Sequence, residues 1–186
     1  RNTKQPQLTA SEAWETYRIR PVNHPVRRMA AAAVLAERLL SEDFLSALEQ
    51  ILHGSGFAVA RRSIIKLLTV PADSYWENHY DFGSPAQGRL PSLLGSERIK
   101  IIIVNVILPF FSAAAELNGN HEFAEHLRRQ YLDCPRLPLN SLEKHMMAQL
   151  DIPAAAVKTA VLQQGLIHIY QQFCTRGKCS SCKLFD

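Results

Sequence analysis

The chain has 186 residues, of which 47% are hydrophobic and 20% are charged, and its net charge at pH 7 is +4. This length and balance suit a globular domain with its own core and exclude an intrinsically disordered chain. The mild positive charge permits an anionic partner without requiring one.

The first elements in chain order are two helices joined by a proline-rich turn. Thr9 and Glu12 have the spacing of a capping box, which predicts a short helix from that point. The segment RPVNHPVRR ends that helix, and Pro25 suits the first turn of a second helix that we expect to run to about Leu40. The predicted apolar stripe of the second helix contains Val26, Met29, Ala33 and Leu40.

A third helix and a long loop follow. Ser41 is expected to cap the third helix, which HGSG at residues 53–56 ends, and a short helical piece is expected at 63–68. Residues 81–95 contain three glycines and two prolines, a composition that predicts a loop.

The most apolar segment is predicted to be a buried core helix. Ser96 is expected to cap a helix over 97–117, in which Pro109 should cause a kink because it removes a backbone hydrogen bond. The apolar run at 101–115 is shorter than the roughly 20 residues that span a bilayer. The first eight residues lack a secretory signal, and four cysteines are too few for a disulfide scaffold. We therefore expect a cytoplasmic protein with no membrane partner.

Capping signals also mark the remaining helices. Asn120 is expected to start one helix, Asn140 and Glu143 form a second capping box, and Pro153 is expected to open the last helix. No segment alternates between apolar and polar residues for the length of a strand. The sequence therefore predicts an all-α fold, a single irregular multi-helix domain over residues 1–186.

Four segments together resemble one protein family. They are RPVNHPVRR (20–28), SYWENHYDFG (74–83), LLGSERIKIIIVNVILPFF (93–111) and QQGLIHIYQQFCTRGKCSSC (163–182). In order and spacing they resemble the C-terminal half of the bacterial family called domain of unknown function 2851, from about Trp14 onward. The resemblance implies an N-terminal half, reminiscent of metal-dependent nuclease folds, that would carry any catalysis. A sequence that begins at Arg1 agrees with a part of a longer protein.

The C-terminal cysteines predict a metal site. Cys174, Cys179 and Cys182 have the spacing C-x4-C-x2-C, and a C-x2-C pair lets two thiolates reach one tetrahedral zinc ion. Cys134 is the candidate for a fourth ligand, so residues 131–136 would contact the tail at 174–186. Alternatives are an iron–sulfur cluster, a disulfide and free thiols without any cofactor.

A basic segment near the N-terminus predicts a phosphate or nucleic-acid site. Guanidinium groups on a proline-rigid turn beside a helix N-terminus can hold phosphate. The candidate ligands are Arg20, Asn23, His24, Arg27 and Arg28. The alternative is a solvated basic face, or arginines that pair with nearby glutamates.

Aromatic and amide side chains are candidates for structural roles. The aromatic group could stack on nucleic-acid bases, but pinning the loop onto the core is the favoured interpretation. Its members are Tyr75, Trp76, His79, Tyr80 and Phe82. Asn105 lies within an apolar run and Gln163 and Gln164 precede Gly165; if buried, these amides need partners, and they are expected to bridge helices.

Three functions compete. The first is an accessory helical module that binds nucleic acid or another polyanion and works with the N-terminal half of the same protein. The second is a purely structural or oligomerisation domain without a ligand. Catalysis by this chain alone ranks last, because the sequence has no nucleophile elbow, no P-loop, no dinucleotide-binding glycine pattern and no paired carboxylates.

Overall fold

A computed structural model describes residues 23–54, 56–182 and 184. The predicted capping box at Thr9 and Glu12, and the phosphate candidate Arg20, lie outside these residues. The described chain is mostly helical, but it also contains two small antiparallel strand pairs. The all-α prediction is therefore right in its main feature and wrong for these strands.

The chain forms two compact units that alternate along the sequence. The described part of the first unit is residues 23–40 and 70–94, and the second unit contains residues 41–69 and those from Gly95 onward. The prediction that residues 1–186 make one domain stays a prediction.

The first unit consists of one helix and four short strands. Helix α1 spans Pro25–Leu39, and Pro25 lies in its first turn as predicted. The strands are β1 (Val70–Pro71), β2 (His79–Asp81), β3 (Ser84–Pro85) and β4 (Ser92–Leu94). Strand β1 pairs with β4, and β2 pairs with β3 through a hairpin in which Gly83 has a φ of 69°. Strands of two or three residues are too short to show alternation, which is why the sequence predicted only a loop.

The predicted apolar stripe of α1 is wrong. The buried residues of α1 are Arg27 and Ala31, whereas Met29 is 57% exposed and Leu40, just after the helix, is 87% exposed. An arginine at the core-facing position requires acceptors for its donors, and the unit supplies them as backbone carbonyls, described below.

The second unit begins with a helical hairpin. Helix α2 spans Glu42–Gly54 and helix α3 spans Phe57–Leu68. The glycine-containing HGSG segment ends α2 as predicted, while α3 starts earlier than the predicted helical piece. Leu52, Ala60 and Ile64 are fully buried where this unit forms its core.

The apolar segment changes its helix type ahead of the proline. Helix α4 spans Ser96–Ile102, a π-helical segment spans Ile103–Ile107, and helix α5 spans Leu108–Leu117. Pro109 lies in the first turn of α5, directly after the π-helical segment, and it has no N–H to donate to the backbone ladder there. The kink expected at Pro109 stays a prediction, while Ser96 is the first helical residue and Gly95 holds the cap position.

By length and composition alone, Ser96–Leu117 could cross a membrane, with a mean hydropathy of 1.8 in its most apolar window. The same segment packs inside the second unit, where α4 contacts α3 and α5 contacts α6. One side, including Ile99, Ile103 and Leu108, is buried. Such a buried side is typical of a core helix, and the predicted compartment stays a prediction.

Side-chain N-caps mark the starts of the last three helices, which are α6 (His121–Leu132), α7 (Ser141–Gln149) and α8 (Ala160–Gln172). Asn120 caps α6, and the capping box of Asn140 and Glu143 is confirmed. The prediction that Pro153 opens α8 is wrong, because the helix starts at Ala160 after Thr159, whose hydroxyl caps it. Two short 3-10 turns follow, Cys174–Arg176 and Cys179–Ser181.

Candidate functional site

The Arg27 side chain lies buried inside the first unit and does not form part of an open phosphate site. Its side chain is fully buried, and one terminal nitrogen donates to the carbonyl oxygens of Trp76 and His79 while the other donates to that of Ser92 at 2.9 Å. Burial lowers the pKa of this guanidinium. Because both terminal nitrogens are occupied, Arg27 ties α1 to the strand pairs and does not present a donor to a ligand.

His24 is also held inside the unit. Its Nε2 lies 3.8 Å from a carboxylate oxygen of Asp81, and its ring meets the edge of Tyr80 at 5.4 Å between centroids. Among the described residues, its Nδ1 and the Nε of Arg27 are buried side-chain nitrogens without a hydrogen-bond partner. The geometry therefore gives His24 a packing role.

The remaining phosphate candidates lie at the start of α1. Arg28 is exposed and Asn23 is half-buried. The α1 N-terminus has neither a side-chain cap nor an acidic residue in its first turn. Of the predicted set, the structure thus leaves Arg28 and Asn23 accessible to an anion, while it buries His24 and Arg27.

Five aromatic side chains lie on or just before the β2–β3 hairpin; four of them form one ring cluster, whereas Tyr80 contacts His24. We call Tyr75, Trp76, His79, Tyr80 and Phe82 the aromatic hairpin. Tyr75 stacks on His79 with ring centroids 4.1 Å apart and planes 2° apart, and it meets the edge of Trp76 at 5.1 Å. Trp76 in turn contacts Phe82 at 5.6 Å and faces the Arg27 guanidinium at 5.9 Å. The contacts of this cluster tie the hairpin to the buried arginine.

The aromatic hairpin is anchored on one side and open on the other. The Tyr75 hydroxyl accepts the Gly83 N–H at 3.0 Å, which fixes the turn. Phe82 is nevertheless 72% exposed and Tyr75 is 38% exposed. The two interpretations of these aromatics are therefore compatible, because the cluster that pins the loop also presents rings to solvent.

The cysteines occupy different environments, and all four are free thiols. Cys134 is fully buried, and its Sγ donates to the Gln130 carbonyl at 3.4 Å. Burial raises the pKa of Cys134 to about 12, with a further rise from Asp133 and an opposing effect of Arg61. Its thiol therefore stays protonated at neutral pH.

The segment around Cys134 contacts the start of α8. The carbonyl of Cys134 accepts the Ala160 N–H at 3.0 Å, and Pro135 forms a β-bridge with Thr159. Along 23–54, 56–182 and 184, which include every cysteine, no three His, Cys, Asp or Glu side chains lie together as a metal ion requires. The zinc or iron–sulfur site of Cys134, Cys174, Cys179 and Cys182 stays a prediction.

The order in which the cysteines are alkylated should follow their exposure to solvent. We expect Cys179, which is exposed, to react first with iodoacetamide at neutral pH, and Cys134 to react only after unfolding. Mass spectrometry of peptides after timed quenching measures the order. Labelling of Cys134 at the rate of Cys179 in the native chain would contradict the burial described here.

A polar pocket in the second unit was not anticipated from the sequence. It encloses about 360 Å³ and is lined by His53, Asn120, Glu122, Phe123 and His126. The His53 ring stacks on Phe123 with centroids 3.5 Å apart. The lining residues come from α2 and from the start of α6, so no local motif marks the pocket.

These features define a mostly helical protein with an arginine-anchored aromatic hairpin and a cysteine-containing C-terminal tail. The chain belongs to the family described as "Protein of unknown function (DUF2851)", whose model matches residues 2–136. The match confirms the resemblance and includes the basic segment, the aromatic hairpin and Cys134, while the tail cysteines lie beyond it. No curated protein and no solved structure matches the chain.

Proposed function

We propose that this chain is an accessory module that binds single-stranded nucleic acid through the aromatic hairpin. The observation that carries the proposal is the exposure of Phe82, 72%, on a hairpin that is otherwise fixed by hydrogen bonds and ring contacts. A rigid ring that faces solvent can accept a stacked base without the cost of ordering the site.

The chemistry around the hairpin suits a nucleic acid. Arg28 is exposed and follows the buried Arg27 at the start of α1. Helix α1 packs against strand β2. Arg89, 73% exposed in its side chain, is held by Glu77 at 2.7 Å. Exposed guanidinium groups in the same unit as the aromatic rings can supply the phosphate contacts that accompany base stacking in sequence-tolerant binding.

The proposed module acts for another part of the same protein. The family resemblance implies an N-terminal half with its own chemistry, and the described residues of this chain offer rings and cations rather than an arranged nucleophile and base. Holding a nucleic acid for a catalytic partner is the role that fits such a surface.

Binding should depend on the exposed ring. A single-stranded oligothymidylate should bind the chain at low salt, and Phe82→Ala should weaken binding at least about fivefold, since each stacked base contributes roughly 1–3 kcal/mol. Arg28→Ala should reduce the slope of log affinity against log salt by about one, because one phosphate contact is lost. Fluorescence anisotropy of a labelled oligonucleotide measures both effects.

The matched control is Phe110→Ala, which removes another exposed phenylalanine, 56% exposed, from α5 of the second unit. It should leave the affinity unchanged. Equal weakening by both variants, or no salt-dependent binding by the unmodified chain, would support the structural or oligomerisation alternative instead.

A further inference from the structure

The C-terminal tail brings two thiols into one short turn. The Cys182 N–H donates to the Cys179 carbonyl at 3.0 Å, which closes the 3-10 turn Cys179–Ser181. Residues at the two ends of such a turn have Cα atoms less than about 7 Å apart. Disulfides join Cα atoms about 4.4–6.8 Å apart, so a bond between these two cysteines requires little backbone movement.

The turn is held against the end of α8. The Lys178 N–H donates to the Phe173 carbonyl at 3.0 Å, and Gly177 makes the connection possible with a φ of 62°. A side chain would be strained at this φ, whereas glycine adopts it freely. The position of the thiol pair is therefore set by backbone contacts to the helix.

The two thiols are unequal in exposure. Cys179 is exposed, whereas Cys182 is 8% exposed. Lys178 and Arg176, which lie next to the pair in sequence, are also exposed and carry positive charge. An accessible thiol beside cations can meet an anionic reagent, and a covered thiol one turn away is placed to react only with its neighbour.

We propose that Cys179 and Cys182 form a reversible disulfide by exchange with an anionic small-molecule disulfide of the glutathione class. The Cys179 thiolate attacks one sulfur of that disulfide, a mixed disulfide forms, and one small thiol leaves. The Cys182 thiolate then attacks the Cys179 sulfur and displaces the second small thiol. Two protein thiols are oxidised, one disulfide is reduced to two thiols, and the two protons from the protein reside on the released thiols.

The other two cysteines take no part in this exchange. Cys134 is fully buried and hydrogen-bonded to Gln130. Cys174 packs against the core cluster that contains Met146 and Leu166. The exchange site consists of the C-x2-C pair alone, in place of the zinc site that the sequence spacing suggested.

The test is a titration of the whole chain with mixtures of oxidised and reduced glutathione. After quenching with N-ethylmaleimide, peptide mass spectrometry should show Cys179 and Cys182 protected together in a single transition, joined to each other, while Cys134 and Cys174 are alkylated after unfolding. Cys182→Ser should instead retain glutathione on Cys179, because the resolving thiol is absent.

Cys174→Ser is the matched control and should leave the transition unchanged, with folding of each variant checked by circular dichroism. Independent oxidation of the two cysteines, pairing with Cys174, or a bond between two chains would overturn the proposal. Stoichiometric zinc bound to the reduced chain and lost in Cys179→Ser would also overturn it, since both sulfurs would then be metal ligands.

Discussion

Arg27→Ala is expected to destabilise the first unit by about 3–5 kcal/mol, a large fraction of the stability of a small domain. The substitution removes the buried donors from the carbonyls of Trp76, His79 and Ser92 and leaves three acceptors without their partner. Each buried unsatisfied group costs about 1–3 kcal/mol. Arg27→Lys should recover only part of the loss, because an ammonium group cannot reproduce the planar arrangement of donors.

Hydrogen exchange locates this effect within the chain. The amides of Ala72, Ala86 and Leu90 are hydrogen-bonded inside the unit, so their exchange should accelerate about 100-fold or more in Arg27→Ala if they open with the unit. Arg28→Ala, one residue further and exposed, should change protection little. Equal protection in the two variants would show that Arg27 does not hold the strands to α1.

Gln163→Leu is expected to destabilise the second unit by about 2–4 kcal/mol. The Gln163 side chain is 1% exposed; its oxygen accepts the Leu137 N–H at 2.7 Å, and its amide nitrogen donates to the Leu137 carbonyl at 3.0 Å. The same nitrogen donates to a carboxylate oxygen of Glu143 at 3.0 Å. Leucine has a similar volume and no polar atoms, so the expected loss comes from hydrogen bonds rather than from a cavity.

The neighbouring residue gives a matched control. Gln164 donates to the side chain of Asn105, which is exposed, so Gln164→Leu should change the unfolding free energy by about 0.5 kcal/mol or less. Urea denaturation followed by circular dichroism measures both variants. If the two leucine variants unfold at the same urea concentration, the bonds of Gln163 do not contribute as argued.

Local signals predicted the parts of the fold that depend on local chemistry. The capping box of Asn140 and Glu143 and the cap at Asn120 each involve groups within one helical turn, and both are confirmed. The bridging roles of Gln163 and Gln164 are confirmed as well, although only Gln163 is buried and the bond from Gln164 to Asn105 is exposed.

Structural features that depend on residues far apart in the chain could not be predicted from the sequence. Arg27 belongs to the core of the first unit because the backbone carbonyls of Trp76, His79 and Ser92, far along the chain, accept its hydrogen bonds. The apolar stripe predicted from periodicity did not include Arg27. The pocket beside His53 joins α2 to the start of α6 and likewise lacks any local pattern. The aromatic hairpin was found as a group, while the exposure of Phe82 depends on the turn geometry.

The β-bridge between Pro135 and Thr159 has a consequence for how this family is delimited. The family match ends at residue 136, yet Cys134 and Pro135 are bonded to Ala160 and Thr159, and the Arg136 N–H donates to the Lys158 carbonyl. A protein cut at residue 136 would lose the backbone partners of Cys134, Pro135 and Arg136. The end of the family match therefore differs from the end of the contacts that its last residues make, and we expect shortened versions of this chain to require the residues through α8.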